Sequence, residues 1–81
     1  MKICDYEGRR NISGERVRQA GTKHRYSQRA LAAKAKTEGV ILEQDAISRI
    51  ENGSRMVQDY ELRVLARILG VTSDWLLEMG E

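Results

Sequence analysis

The chain has 81 residues, enough for one compact domain and about half the length of an average one. Charged residues make up 32% and hydrophobic residues 41% of the sequence, which is typical of a globular protein and argues against wholesale disorder. The net charge is only +2, the longest run of large apolar residues is 40–42, and there is one cysteine and one histidine. These features exclude a transmembrane helix, an internal disulfide and a Cys/His zinc site.

Glycines and capping residues mark the ends of most predicted helices. Gly39, Gly53, Gly70 and Gly80 each follow a helix-like segment, where a left-handed residue commonly ends a helix. No proline interrupts the segments between them. The sequence therefore predicts a flexible N-terminal arm over residues 1–10. It also predicts five helices, over residues 12–25, 28–38, 44–52, 59–69 and 73–79.

The first two helices differ in how clearly they begin. Ser27 is a good N-cap for the second helix, which is rich in alanine. Asn11 is a candidate cap for the first helix, but Gly14 and Gly21 lie inside that helix and are expected to cost about 1 kcal/mol each relative to alanine. The two glycines therefore lower the helix propensity of this segment.

Helical spacing divides the later helices into apolar and polar faces. On the fourth helix, an i, i+3, i+4, i+7 stripe predicts burial of Leu62, Leu65, Ala66 and Leu69. On the third helix, Ile47 and Ile50 are predicted to point inward, which leaves a compact polar face opposite them. No alternating strand pattern occurs, so we predict an all-α bundle in which a short polar-faced helix follows an alanine-rich one, as helix-turn-helix docking requires.

Several short strings resemble, in order and spacing, the phage repressor and Cro-type helix-turn-helix family, also called the xenobiotic-response-element (XRE) family. They are Ser27-Gln28, Leu31-Ala32, Ile47-Ser48-Arg49-Ile50-Glu51-Asn52-Gly53 and Leu69-Gly70-Val71-Thr72-Ser73-Asp74-Trp75-Leu76-Leu77. The resemblance covers residues 11–80. It implies a lambda-repressor-like DNA-binding domain over residues 11–81, with the helix-turn-helix at about 27–53. It also implies a third helix that enters the major groove, usually in a homodimer on a palindromic operator.

The resemblance also assigns roles to individual residues. The base-reading positions are Gln44, Asp45, Ser48 and Arg49; the carboxamide of Gln44 suits adenine, and the guanidinium of Arg49 suits guanine. The positions that bind phosphate are Gln28, which also braces the third helix, and Asn52, Ser54 and Arg55 in the turn after that helix.

The sequence departs from the family pattern in three places. The segment from Ser27 to Ile47 is about five residues longer than usual, which we interpret as an extended second helix plus a wider loop over residues 36–42. Asp45 places an anion at a base-reading position, which is the second departure. Its carboxylate either accepts a hydrogen bond from N4 of cytosine or pairs with Arg49 at i+4 and orients the Arg49 side chain. Gly21 occupies a position that is often arginine in the family, so Glu51 loses its usual partner. Arg18 is the nearest substitute.

The sequence favours a transcriptional repressor that binds double-stranded DNA over two other classes of function. No nucleophile, metal-ligand set or pair of carboxylates with catalytic spacing occurs, so we predict that the chain is not an enzyme and needs no cofactor. A protein-interaction module, such as an antitoxin or a partner of a larger regulator, is the alternative. The single cysteine favours a reducing compartment, so we expect a cytoplasmic, nucleoid-associated protein with no membrane partner and no evident small-molecule ligand.

Overall fold

The computed structural model describes residues 6–79, which form five helices and no strand. An isolated bridge between Tyr6 and Arg9 is the sole β-type pairing in this range. The predicted all-α bundle is confirmed. Its helices are α1 (Gly14–Lys23), α2 (Gln28–Thr37), α3 (Gln44–Glu51), α4 (Asp59–Leu69) and α5 (Ser73–Leu76).

One hydrophobic core joins all five helices. The largest fully buried side chains are Val17, Leu31, Ile47, Ile50, Leu65, Leu69 and Leu76. On α4 the buried face includes Val64, whereas Leu62, predicted to be buried, is only partly so. Both Ile47 and Ile50 of α3 are fully buried, so the opposite face of this short helix is turned to solvent.

A left-handed residue follows each of the five helices, but two of these five residues are not glycine. Gly39, Gly53 and Gly70 have positive φ, as predicted, and Gly80 lies outside the described residues. Arg25 and Glu78 also have φ of +61°. These two residues turn the chain where the sequence predicts further helix, so α1 and α5 end earlier than expected.

The connection between α2 and α3 is a loop, and α2 is not extended as the sequence predicts. The helix stops at Thr37, where left-handed Gly39 turns the chain and the N–H of Val40 donates to the carbonyl of Ala35 at 3.0 Å. Leu42 anchors the far end of the loop because its side chain is only 2% exposed. The added length therefore lies in a loop that is fixed at both ends.

Residues 6–10 form a hydrogen-bonded turn, which we call the N-terminal turn. The sequence predicts a flexible arm over residues 1–10, of which residues 1–5 lie outside the described part. In the remainder, the N–H of Tyr6 donates to the carbonyl of Arg9 at 2.6 Å, and the reverse bond is 2.9 Å long. The N–H of Arg10 donates to the carbonyl of Gly53 at 2.8 Å. These backbone bonds hold the segment against the end of α3.

Candidate nucleic-acid interface

The four residues predicted to read bases share the solvent-facing side of α3. Gln44, Asp45 and Arg49 are exposed and Ser48 is half-buried. The side chains of Gln44, Asp45 and Ser48 line an open surface depression together with Gln28 of α2. The fold thus brings one predicted phosphate-binding residue beside three predicted base-reading residues.

Arg49 and Asp45 form an ion pair along the helix. Their Nη2 and Oδ2 atoms are 3.5 Å apart, at the i and i+4 positions that face each other on a helix. Both side chains are more than half exposed, so water screens the attraction and the pair is weak. Asp45 therefore orients the guanidinium of Arg49 without binding it firmly, and Arg49 can exchange this partner for another.

Gln28 braces α3 through Glu51. The Nε2 of Gln28, the first residue of α2, donates to Oε1 of Glu51 at 3.0 Å. Arg18, which the sequence offers as the partner of Glu51, pairs instead with Glu15 on its own helix at 2.9 Å. That prediction is wrong because Glu15 lies three residues from Arg18 on the same helical face.

The turn after α3 is ordered by its own polar groups. The side-chain oxygen of Asn52 accepts from the N–H of Ser54 at 3.0 Å and from the hydroxyl of Ser54 at 2.6 Å. The same N–H donates to the carbonyl of Arg49 at 2.9 Å. Gly53 between them has φ of +84°. Asn52 and Ser54 are exposed, so they present polar side chains on a turn that is closed by hydrogen bonds.

Arg55 lies next to this turn but is held by α4. Its Nη1 and Nη2 atoms are 3.0 and 3.2 Å from the two carboxylate oxygens of Glu61, and Nη1 also donates to the carbonyl of Met56. The side chain is 27% exposed. The hydrogen bonds that Arg55 donates to Glu61 are the main cause that raises the pKa of Arg55. Arg55 is the one charged residue among the predicted phosphate-binding residues, and its charge is already paired with Glu61.

Asn11 positions the end of α3, a role that the sequence does not reveal. The sequence predicts Asn11 as the cap of a helix that begins at residue 12, but α1 begins at Gly14 and Ser13 occupies the N-cap position. The Oδ1 of Asn11 nevertheless accepts from the N–H of Gly14 at 2.7 Å. In addition, its Nδ2 donates to the carbonyl of Ile50 at 3.1 Å and to that of Arg55 at 2.6 Å. One side chain thus fixes the start of α1, the last turn of α3 and the following turn relative to one another.

Gly14 lets α1 approach α3 closely. A Cβ atom at this position would collide with the carbonyl oxygen of Ile50 and would lie 3.0 Å from Oδ1 of Asn11. The sequence predicts Gly14 to be a cost to the helix, whereas the packing requires it. The only signal for this need is the presence of a glycine inside a helix.

The described residues offer neither a metal site nor a membrane span. No group of three or more His, Cys, Asp and Glu side chains within residues 6–79 is placed to hold a metal ion. In the same part of the chain, no helix is both long enough and apolar enough to cross a membrane.

A short polar-faced helix braced by the helix before it, in a five-helix bundle, defines a helix-turn-helix DNA-binding domain. Comparison with known families agrees, because a model described as helix-turn-helix matches residues 15–76. The chain therefore belongs to the XRE-type helix-turn-helix family. A comparison with curated proteins gives no match.

Proposed function

We propose that this protein is a sequence-specific transcriptional repressor that binds a palindromic operator as a homodimer, with α3 of each copy in the major groove. Occupation of an operator that overlaps a promoter would block transcription sterically. This function requires no cofactor and no catalysis, and we place it in the cytoplasm on the nucleoid.

The observation that carries the proposal is the exposed polar face of a helix that is fixed on its other face. Two fully buried isoleucines, the Gln28–Glu51 hydrogen bond and the Asn11 contacts hold α3 in place. A helix held in this way has little backbone freedom left to lose on binding. Such preorganisation suits the reading of base edges.

The residue roles follow from the chemistry of the exposed groups. Gln44 suits adenine, Arg49 suits guanine, Asp45 suits the N4 amine of cytosine, and Ser48 suits either a donor or an acceptor on a base edge. Gln28, Asn52 and Ser54 suit phosphate oxygens. Arg55 can reach a phosphate only while it shares its charge with Glu61, so we rank it below the other three.

The charge distribution supports a polyanionic partner. Residues 1–36 hold ten Lys and Arg against three Asp and Glu, a net charge of +7, whereas residues 37–81 carry a net charge of −5. The near-neutral total therefore hides a polarised chain. The basic half includes α1 and nearly all of α2, which suits the phosphate backbone. Glu43, Asp45 and Glu51, in or beside α3, are the acidic exceptions within the proposed interface.

Selection of random duplex oligonucleotides by the purified chain tests the proposed function. We expect enrichment of a palindrome, because a homodimer reads two half-sites related by two-fold symmetry. Titration of the selected duplex at several salt concentrations should give log K that falls linearly with log salt, by about 0.9 per phosphate contacted. A chain that enriches no sequence and shows no such slope would be a protein-interaction module instead.

Arg49→Ala is expected to relax the preference for one base pair in each half-site. The lost two-pronged contact to guanine should weaken binding by about 1–3 kcal/mol in each half-site, while binding to a duplex changed at that base pair in both half-sites should be nearly unaffected. Stability should not change measurably, since the Asp45 pair is exposed. The measurement is a set of binding titrations against single-base variants of the operator.

Gln28→Ala is the matched contrast to Arg49→Ala. Loss of a phosphate contact and of the brace to Glu51 should weaken binding to every duplex alike. A change of base preference in this variant would contradict its assigned role, and a uniform loss in Arg49→Ala would mean that Arg49 touches only phosphate.

A further inference from the structure

The N-terminal turn forms one unit with the turn after α3. The reciprocal backbone bonds of Tyr6 and Arg9 close it, and left-handed Glu7 and Gly8 occupy its tip. The bond from the N–H of Arg10 to the carbonyl of Gly53 joins it to the end of α3. Residues 6–10 thus sit at a fixed place beside the predicted phosphate-binding turn.

The side chain of Arg9 lies across Gly53. A Cβ atom built on Gly53 would lie 2.8 Å from Cδ and 3.1 Å from Cγ of Arg9, so the aliphatic stem covers the α carbon of this glycine. Gly53 is buried as a result, and Arg9 is itself half-buried. Packing of the stem restricts where the guanidinium at its end can go.

The charge of Arg9 is uncommitted, unlike that of the arginines in and after α3. Arg49 is paired with Asp45, and Arg55 is bound by Glu61. The guanidinium of Arg9 makes no hydrogen bond or ion pair to any residue between Tyr6 and Met79. A cation whose stem is fixed and whose head has no partner in the described part of the chain is suited to an external anion.

We infer that Arg9 binds a phosphate of the DNA backbone next to the one held by Asn52 and Ser54, and that the N-terminal turn is part of the DNA interface. This inference rests on the proposed function. Gly53 connects the two sites, because Arg9 covers it and Asn52 and Ser54 flank it in sequence. The turn fixes the protein's register on the duplex without reading sequence.

Arg9→Gln tests the contact while keeping the atoms that pack on Gly53. Glutamine retains the β, γ and δ carbons of the stem and removes the charge. Each copy in the homodimer loses one contact, so we expect affinity to fall about tenfold per half-site near 0.15 M salt. The slope of log K against log salt should become shallower by about 1.8, or about 0.9 for each of the two contacts. The same loss should occur with every duplex sequence.

Arg63→Gln is the matched control, since it removes the same charge from an exposed arginine of α4 that has no hydrogen-bond or ion-pair partner in the described chain. It should change neither affinity nor slope appreciably. Arg9→Lys, which restores a positive charge, should restore the wild-type slope.

Four outcomes decide whether Arg9 contacts a phosphate of the DNA. A shallower slope in Arg9→Gln alone, recovered in Arg9→Lys, supports the contact. Equal behaviour of Arg9→Gln and Arg63→Gln overturns it and leaves the proposed function standing. Weaker binding by Arg9→Gln with an unchanged slope also overturns it, because the residue then acts only by holding the turn. Failure of the wild-type chain to bind any duplex removes the proposed function together with the inference.

Discussion

Gly14→Ala is expected to destabilise the domain by about 3 kcal/mol, with a thermal midpoint lower by more than about 10 °C. The added methyl group would meet the carbonyl oxygen of Ile50, a backbone atom in the last turn of α3 that cannot rotate away. Relief requires α1 and α3 to separate. That movement also strains the bridge made by Asn11, which accepts from the N–H of Gly14 and donates to the carbonyl of Ile50. Thermal unfolding followed by circular dichroism measures the effect.

Gly21→Ala is the matched control in the same helix. The nearest heavy atom to a Cβ there is the carbonyl oxygen of Tyr26 at 3.9 Å, an ordinary contact, and Gly21 lies within regular helix. Alanine should therefore stabilise the domain by about 0.5–1 kcal/mol, as expected for glycine replaced in a helix. Equal stability of the two variants would show that α1 and α3 are not packed as closely as Gly14 implies.

These two glycines show where prediction from sequence stops. Both lie inside the first helix as the sequence predicts it, and helix propensity treats them alike because it describes only a residue and its own helix. They differ because the carbonyl oxygen of Ile50, 36 residues after Gly14 in the chain, lies against Gly14 and not against Gly21. Such a contact depends on the packing of two helices, which local sequence does not encode.

Helix ends were predictable where the chain uses glycine to turn. The bounds of α4 agree with the prediction at both ends, and Gly70 closes the helix in the left-handed conformation. Arg25 and Glu78 adopt the same conformation at the ends of α1 and α5 without glycine's freedom. Because a non-glycine residue gives no signal for this conformation, the sequence predicts both helices too long.

The candidate site also has one part that the sequence predicts and one part that it does not. The polar face of α3 follows from spacing alone, since buried isoleucines three residues apart fix which side chains face solvent. The partners across elements do not follow from spacing. Glu51 bonds to Gln28 instead of Arg18, and Arg55 bonds to Glu61 of α4. Which long side chains meet depends on how the helices are oriented, so these pairs needed the structure.

Glu61 is a buried carboxylate that sequence reasoning missed. The residue is only 4% exposed, and besides Arg55 it accepts a hydrogen bond from the N–H of Gln58 at 2.9 Å, as the N3 glutamate of a capping box. Burial by itself raises the pKa of Glu61, but the hydrogen bonds from Arg55 and Gln58 outweigh it, so the pKa is lowered. The folded protein therefore holds this carboxylate in its charged form.

Glu61→Gln is expected to lower the free energy of unfolding by about 2 kcal/mol at pH 7, because the neutral amide keeps the shape but loses the charge-assisted bonds to Arg55. The lowered pKa of Glu61 fixes the sign of the pH dependence. Its contribution is complete above the pKa of an unfolded glutamate, about 4.3, and is lost as the pH falls through the lower pKa of the folded state. Denaturant unfolding at a series of pH values should show the difference between wild type and variant closing over that interval.

Glu15→Gln serves as the control, since Glu15 also pairs with an arginine but on the exposed face of α1. Removal of its charge should cost less than about 0.5 kcal/mol and add little pH dependence, because solvent screens the pair. If Glu61→Gln kept a constant deficit down to low pH, its effect would come from altered packing and not from the lost charge. A deficit that closes in acid would instead identify the Arg55–Glu61 pair as the charge interaction that joins the end of the turn after α3 to α4.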